Sequence, residues 1–330
     1  MAMINVSGTP HAYDLVVAPS VESPCTLVFI HGWLLSRSYW QPLIEHLVSS
    51  YTCLAYDLRG FGASQPAGSQ IPWQDTLSMP PTLALVASDR SGYPASAPVD
   101  PLQSSSPIPD PLTHTAPQTF TPAAYVQDLA ILLDQLNISN AWLIGHSLGG
   151  SIALWGAAQL FDRVKGVICI NSGGGIYLER EFEKFRAAGQ QMLQFRPPWL
   201  RQLPLVDLVF SRANVCHPIA RRWGRQRIID FVAAQPEAAL GTLLDSTTEA
   251  EVHKLPQVVA QLQQPAYFIT GSQDNIMEPR YVRHLASFHT LFGDCGENVI
   301  EIPDCGHFAM IEQSGQVADQ VRSILYRHGL

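Results

Sequence analysis

Six short apolar runs recur along the chain, and segments with helical periodicity lie between them. Each run has the length and continuous apolar character of a strand that is buried on both faces of a parallel sheet. Residues 123–136 and 149–160 carry apolar side chains at helical spacing. This alternation predicts a doubly wound, mostly parallel α/β sheet, preceded by a hairpin with strands 4–6 and 13–17. The runs are 26–30, 52–56, 141–144, 167–170, 267–270 and 299–302.

Two segments interrupt the alternation. Eleven of the 25 prolines lie between Pro66 and Pro117, and proline removes a backbone donor and fixes φ. Residues 65–120 are therefore predicted to be a long Pro/Ser-rich loop insertion. The alternative is that its apolar stretch 79–87 docks over the site as a lid. Residues 175–264 contain helical patterns separated by prolines and no convincing strand, so they are predicted to form a helical cap inserted late in the sheet. The core is then expected to comprise residues 1–174 and 265–330.

The sequence Gly145-His146-Ser147-Leu148-Gly149-Gly150 directly follows one predicted strand and directly precedes a predicted helix. Small residues on both sides of a serine are needed where a tight strand-to-helix turn holds its hydroxyl clear of the sheet. The alternative is a serine that caps the helix within a glycine turn. The strand and helix on either side favour Ser147 as a nucleophile.

A serine hydroxyl needs a base to take its proton and a third group to orient that base. Asp274 follows the predicted strand 267–270, and His307 follows the strand 299–302. The order serine, acid, histidine and the placement after strand ends both match a catalytic triad on an open α/β sheet. Asp304 and Glu278 are competing acids, but Asp304 is too close in sequence to approach His307 readily from another strand.

Together these residues resemble the α/β-hydrolases, a resemblance that covers nearly the whole predicted core. The resemblance implies the α/β-hydrolase fold and assigns the oxyanion N–H donors to Trp33, which follows His31-Gly32, and to Leu148. Family members with an aspartate nucleophile are epoxide hydrolases and dehalogenases, and Ser147 argues against both activities. The segments that occur in the family's order are His31-Gly32, Asp57-Leu58-Arg59-Gly60-Phe61-Gly62-Ala63-Ser64, Gly145–Gly150, Asp274 and Gly306-His307.

Composition excludes other classes. A net charge of -8 argues against nucleic acid as a partner, and no apolar stretch is long enough to span a bilayer. Residues 1–10 have neither the basic nor the apolar region of a secretory signal, so we expect none. Six scattered cysteines are typical of free thiols in a reducing compartment, and a cytoplasmic location is therefore expected. No dinucleotide, Walker or metal-ligand spacing occurs, and we predict no cofactor and no metal. A run of arginines is predicted to form a solvated helix face: Arg221, Arg222, Arg225 and Arg227.

These features predict a serine hydrolase that cleaves a carboxylic ester or related acyl bond of a small molecule through an acyl-enzyme. Thioesterases, carbon–carbon bond hydrolases and cofactor-free perhydrolases use the same triad, and a ligand-binding receptor with residual activity is the alternative from another class. The oligomeric state is left open. Apolar residues crowd the first half of the predicted cap and predict an apolar substrate pocket or simply the cap's own core: Phe182, Phe185, Met192, Leu193, Phe195, Trp199, Leu203, Leu205, Leu208, Val209 and Phe210.

Overall fold

A computed structural model describes residues 1–18, 25–65, 119–173 and 179–330, of which 179–182 are described by their backbone alone. Eight strands form one sheet in the order β1-β2-β4-β3-β5-β6-β7-β8. Every pair from β4 to β8 is parallel, whereas β1 and β2 pair antiparallel with their neighbours. The strands are β1 Ala2–Val6, β2 Thr9–Val16, β3 Thr26–Ile30, β4 Thr52–Tyr56, β5 Ala141–His146, β6 Val164–Ile170, β7 Ala266–Gly271 and β8 Val299–Ile302.

The sheet confirms the predicted fold class. All six apolar runs are strands, although β5 extends two residues past its run and β6 begins three residues before its run. The predicted hairpin is also present, with strands longer than expected, because Val6 pairs with Thr9 across a two-residue turn. Ser7 and Gly8 both adopt positive φ in that turn, as tight hairpin turns require.

Helices cover both faces of the sheet and bury one apolar cluster on each side. On one face, α1 and α11 pack beside each other and contribute Leu43, Ile44 and Val321. On the other face, α2, α3 and α9 contribute Leu129, Ile152 and Val282 among others. This is the doubly wound arrangement. The helices are α1 Gln41–Leu47, α2 Pro122–Gln135, α3 Leu148–Gln159, α4 Glu179–Gln194, α5 Val206–Phe210, α6 Arg221–Ala233, α7 Pro236–Ser246, α8 Glu249–Gln261, α9 Pro279–Ala286, α10 Ala309–Glu312 and α11 Ser314–Arg327, with 3-10 helices at Arg37–Trp40, Pro198–Gln202 and Thr290–Phe292.

Among the described residues, five α-helices, α4 to α8, lie between β6 and β7 in the segment predicted to be helical. Their apolar faces are continuous with the core, since Phe231 of α6, Ala238 of α7 and Val259 of α8 join the cluster beneath α2 and α3. The proposed division into core and cap remains a prediction. Of the predicted loop insertion, residues 66–118 lie outside the described residues.

Across the part of the chain that the structure describes, every helix is too short or too polar to cross a bilayer.

Candidate active site

Ser147 occupies the turn between β5 and α3 with a strained backbone, at φ 52° and ψ -119°. A methyl group at Gly145 would overlap the carbonyl oxygen of Gly149, and one at Gly149 would overlap the carbonyl oxygen of Ile30. The glycines are therefore required by close backbone approach. The Ser147 side chain makes no capping hydrogen bond to α3, which removes the reading of this serine as a helix cap.

His307 and Asp274 are in direct contact. Nδ1 of His307 lies 2.8 Å from Oδ2 of Asp274, and both side chains are almost fully buried. The other Asp274 oxygen accepts from the backbone N–H groups of Ile276 and Met277, each at 2.9 Å. Burial alone would raise the pKa of Asp274, but the charge of His307 and these hydrogen bonds outweigh it and hold that pKa below its usual value. The acid is therefore an ionised acceptor at neutral pH.

The competing acids make other contacts. Asp304 is exposed and accepts from the Gln273 side chain at 3.4 Å. Glu278 pairs with Arg280 at 2.9 Å. Asp274 is thus the acid that the structure brings to His307.

Two residues that sequence reasoning missed hold this pair in place. Asn171, which follows β6, donates to Oδ2 of Asp274 at 2.8 Å and to the carbonyl oxygen of Gly306 at 3.0 Å. Glu312 accepts from three backbone N–H groups, those of Cys216, Gly306 and Phe308. The carboxylate therefore clamps the residues on both sides of His307. Neither residue lies in a recognisable sequence motif, so only proximity after folding reveals them.

His146 also holds the segment that carries His307. Its Nε2–H donates to the carbonyl oxygen of His307 at 2.8 Å, and the two ring centroids are 4.8 Å apart. Complete burial, followed by the charge of His307, lowers the pKa of His146 to about 3. His146 is therefore a neutral structural donor and not a second base.

His31, Gly32 and Trp33 lie beside the serine. A methyl group at Gly32 would lie 2.8 Å from Nδ1 of the buried His146 and 3.2 Å from Cβ of Ser147, so this close approach leaves too little room for a larger residue. The His31 ring is buried and accepts from the Leu58 N–H at 2.9 Å, which anchors the loop. Leu148 is the first residue of α3, where backbone N–H groups lack intrahelical partners. Within the described residues, neither the Trp33 nor the Leu148 backbone N–H makes a hydrogen bond.

A cavity of about 450 Å³ joins these groups. Ser147, His307, Trp33 and Leu148 all line it, whereas Asp274 lies behind His307. Within the described residues, no hydrogen bond links the Ser147 hydroxyl to His307. The helices α4 to α8 contribute much of the lining. Their polar contributions, with Thr247 beside them, are Arg227, Ser246 and Glu251, and the apolar ones are Phe185, Ala188, Gly189, Met192, Phe210, Phe231, Leu243 and Leu255.

One part of the arginine run departs from the sequence prediction. Arg221, Arg222 and Arg225 are exposed, as expected. Arg227 instead lines the cavity, because α6 turns this position toward the core while the other three face outward. The described residues contain no cluster of His, Cys, Asp and Glu arranged to hold a metal ion.

The family model described as the alpha/beta hydrolase fold matches residues 26–314, and the chain belongs to this family. An epoxide hydrolase from Caballeronia sordidicola is 24% identical over 367 aligned positions, covering 96% of this chain and 94% of the relative. A 2-succinyl-6-hydroxy-2,4-cyclohexadiene-1-carboxylate synthase from Serratia proteamaculans is 24% identical and covers 61% of this chain and 74% of the relative. Among solved structures, a thermophilic esterase from Thermogutta terrifontis with malate bound aligns with a TM-score of 0.65. The alignment covers 99% of this chain and 98% of the esterase at 20% identity, which shows a similar fold.

Proposed function

We propose that this protein is a serine hydrolase that cleaves a carboxylic ester or a closely related acyl bond. The observation that carries the proposal is the strained turn at Ser147, whose side chain faces the same cavity as a histidine held by a buried carboxylate. A serine placed in this way and free of capping bonds is available to attack a bound carbonyl carbon.

In the proposed reaction, His307 accepts the Ser147 proton as the hydroxyl attacks, and it later gives that proton to the leaving alcohol. Asp274 accepts from Nδ1–H, which selects the tautomer with a free Nε2 and stabilises the imidazolium. The backbone N–H groups of Trp33 and Leu148 are the proposed oxyanion donors. Water then attacks the acyl-enzyme with His307 again acting as base. A hydrogen bond between Ser147 and His307 is expected to form as substrate binds, because catalytic hydrogen bonds often tighten only in the substrate complex.

The identity of the nucleophile separates this proposal from epoxide hydrolysis. The Caballeronia relative is named an epoxide hydrolase. Family members with that activity use an aspartate as the nucleophile. Ser147 stands at that position in this chain. A serine gives an acyl-enzyme with an ester, and esterases occur among the similar folds.

The helices of residues 175–264 are proposed to be a cap that supplies an apolar pocket for a small-molecule acyl substrate. Support comes from the apolar wall that α4, α6, α7 and α8 contribute to the cavity. A cytoplasmic location is proposed as well, because all six cysteines lie in described residues and are free thiols.

Fluorophosphonate labelling combined with turnover of 4-nitrophenyl butyrate tests the proposal. The wild-type protein should be labelled and should turn over the ester, and Ser147→Ala should lose both while unfolding at the wild-type temperature. Ser287→Ala, which removes an exposed serine away from the cavity, is the matched control and should behave as wild type. Wild-type labelling of Ser147→Ala would refute the assignment. Labelling without turnover of any ester would favour the receptor alternative.

A further inference from the structure

Arg227 is a cation inside the cavity that holds Ser147 and His307. Its guanidinium carbon lies 4.4 Å from the centroid of the Phe308 ring, and that ring lies 5.5 Å from the ring of His307. Two ring contacts thus connect the cation to the imidazole. Arg227 and Ser147 line the same cavity, so a single ligand bound there can contact both residues.

The guanidinium is only partly used by the protein. Nη1 donates to the carbonyl oxygens of Phe210, at the end of α5, and of Ala213, the latter at 2.7 Å. These two bonds occupy both N–H groups of Nη1. Within the described residues, no carboxylate lies within ion-pair distance of Arg227, and Nε and Nη2 make no hydrogen bond.

Arg221, on the same helix, differs from Arg227 in having a carboxylate partner. Arg221 makes a paired contact with Asp207 and is well exposed. Burial lowers the pKa of Arg227, with Tyr39 and Glu312 opposing the effect, yet arginine stays charged in proteins. Arg227 is half-buried and has no carboxylate within ion-pair distance among the described residues, so an anionic ligand in the cavity would lower the free energy of this cation.

We propose that Arg227 binds a carboxylate group of the substrate through Nε and Nη2, so that the protein prefers esters that carry a carboxylate. This inference rests on the proposed ester hydrolysis. Nε–H and Nη2–H form a two-donor edge whose spacing matches the two oxygens of a carboxylate. The apolar walls of the cavity strengthen such charge-assisted bonds by excluding water. Support of α5 alone needs only Nη1 and does not account for the remaining donors of a residue that lines the cavity.

Two matched pairs of esters test the preference on either side of the scissile bond. Mono-4-nitrophenyl adipate is compared with 4-nitrophenyl hexanoate, and 4-acetoxybutanoate with 4-acetoxybutanamide. The wild-type kcat/KM should favour the carboxylate in at least one pair. In Arg227→Gln that preference should fall by about 10- to 100-fold, the size expected for charge-assisted hydrogen bonds. Arg225→Gln, an exposed change on the same helix, should keep the wild-type preference.

Equal losses on the charged and neutral esters in Arg227→Gln would overturn the proposal, since that is the signature of a structural support for α5. Absence of any wild-type preference in both pairs would overturn it too. If Arg227→Gln does not fold, the proposal is tested on the wild-type protein by measuring how well an added ester protects it from fluorophosphonate labelling. Monomethyl adipate should protect at lower concentration than methyl hexanoate, and equal protection contradicts carboxylate binding.

The carboxylate site can also be tested if the protein proves not to be a hydrolase. If no ester is turned over and no label is incorporated, monomethyl adipate is titrated by calorimetry into Ser147→Ala and into Ser147→Ala/Arg227→Gln. Binding that weakens 10-fold or more in the double variant supports the carboxylate site without hydrolysis. No binding, or equal binding to both, overturns it.

Discussion

The Nδ2 of Asn171 lies 2.8 Å from Oδ2 of Asp274, the same oxygen that Nδ1 of His307 contacts. Asn171 follows β6 at φ 49°, a conformation that asparagine tolerates better than most residues. Its amide also reaches the carbonyl oxygen of Gly306, next to His307. One side chain therefore aligns both the acid and the histidine segment.

Asn171→Ala should lower kcat for a neutral ester by about 10-fold while KM changes little, because Asp274 loses a donor that fixes its orientation. The left-handed backbone adds about 1 kcal/mol of strain with alanine. Steady-state kinetics and thermal unfolding measure both effects. An unchanged kcat together with a lower unfolding temperature would show that Asn171 matters for stability alone.

Asp274→Asn should reduce kcat by up to about 10⁴-fold, because an amide at this position favours the wrong histidine tautomer. Asp304→Asn is the matched control, since Asp304 is exposed and contacts Gln273 instead. Kinetics on 4-nitrophenyl butyrate compare the two variants. Were the Asp304 variant the more damaged one, Asp274 would not be the orienting acid.

Glu312→Gln should loosen the segment that carries His307. The carboxylate accepts from three backbone N–H groups, and an amide turns one acceptor into a donor that faces an N–H. Loss of a charge-assisted bond predicts a drop in unfolding free energy of about 1.5–3 kcal/mol, with a lower kcat. Urea unfolding and hydrogen exchange at Gly306 and Phe308 measure this. Wild-type protection at both amides would contradict the clamp.

Asp230 on α6 predicts a pH dependence of stability. Burial, followed by the charge of Asp57, raises the pKa of Asp230 to about 7, although Ser36 and Gln226 donate to it. The folded state therefore binds a proton that the unfolded state has released between about pH 4 and 7. Stability should fall as pH rises through that window, by a few kcal/mol at most, on the order of 1.4 kcal/mol per pH unit.

Urea unfolding of the wild-type protein and of Asp230→Asn at pH 5, 6, 7 and 8 measures this effect. The variant carries no ionisable group at this position, so its stability should decline less between pH 5 and 7 than that of the wild type. Parallel pH profiles for the two proteins would show that Asp230 is not the group responsible.

The sheet and the order of the candidate triad were predictable because strand ends of a parallel sheet converge at one edge, and Ser147, Asp274 and His307 each follow a strand. The roles of Asn171 and Glu312 could not be predicted from the sequence. A single asparagine or glutamate forms no local pattern, and its contacts exist only after distant segments have come together. Arg227 was predicted to be solvated because its neighbours in sequence are. Successive residues of a helix lie on different faces, and the packing of α6 places Arg227 on the face that lines the cavity.

The final prediction concerns the Pro/Ser-rich insertion, which we expect to be dispensable for folding and for hydrolysis of a small ester. The described residues on both flanks are anchored independently of it. Gln65 donates to the Ala233 carbonyl oxygen at 2.7 Å, and the Phe120 N–H donates to Asp245 at 2.8 Å. Chain-closure entropy changes by only about 0.6 kcal/mol per doubling of loop length, so shortening should alter stability little. No candidate site residue lies within the insertion.

A variant in which a short Gly-Ser linker joins Ala67 to Gln118 tests this expectation. It should remain monodisperse, unfold cooperatively near the wild-type temperature and hydrolyse 4-nitrophenyl acetate at a similar rate. Precipitation or loss of the cooperative transition would show that the insertion is structural. A folded variant with a changed preference among longer esters would instead show that the apolar stretch 79–87 acts as a lid, because a lid shapes which substrates enter without supplying the nucleophile or base.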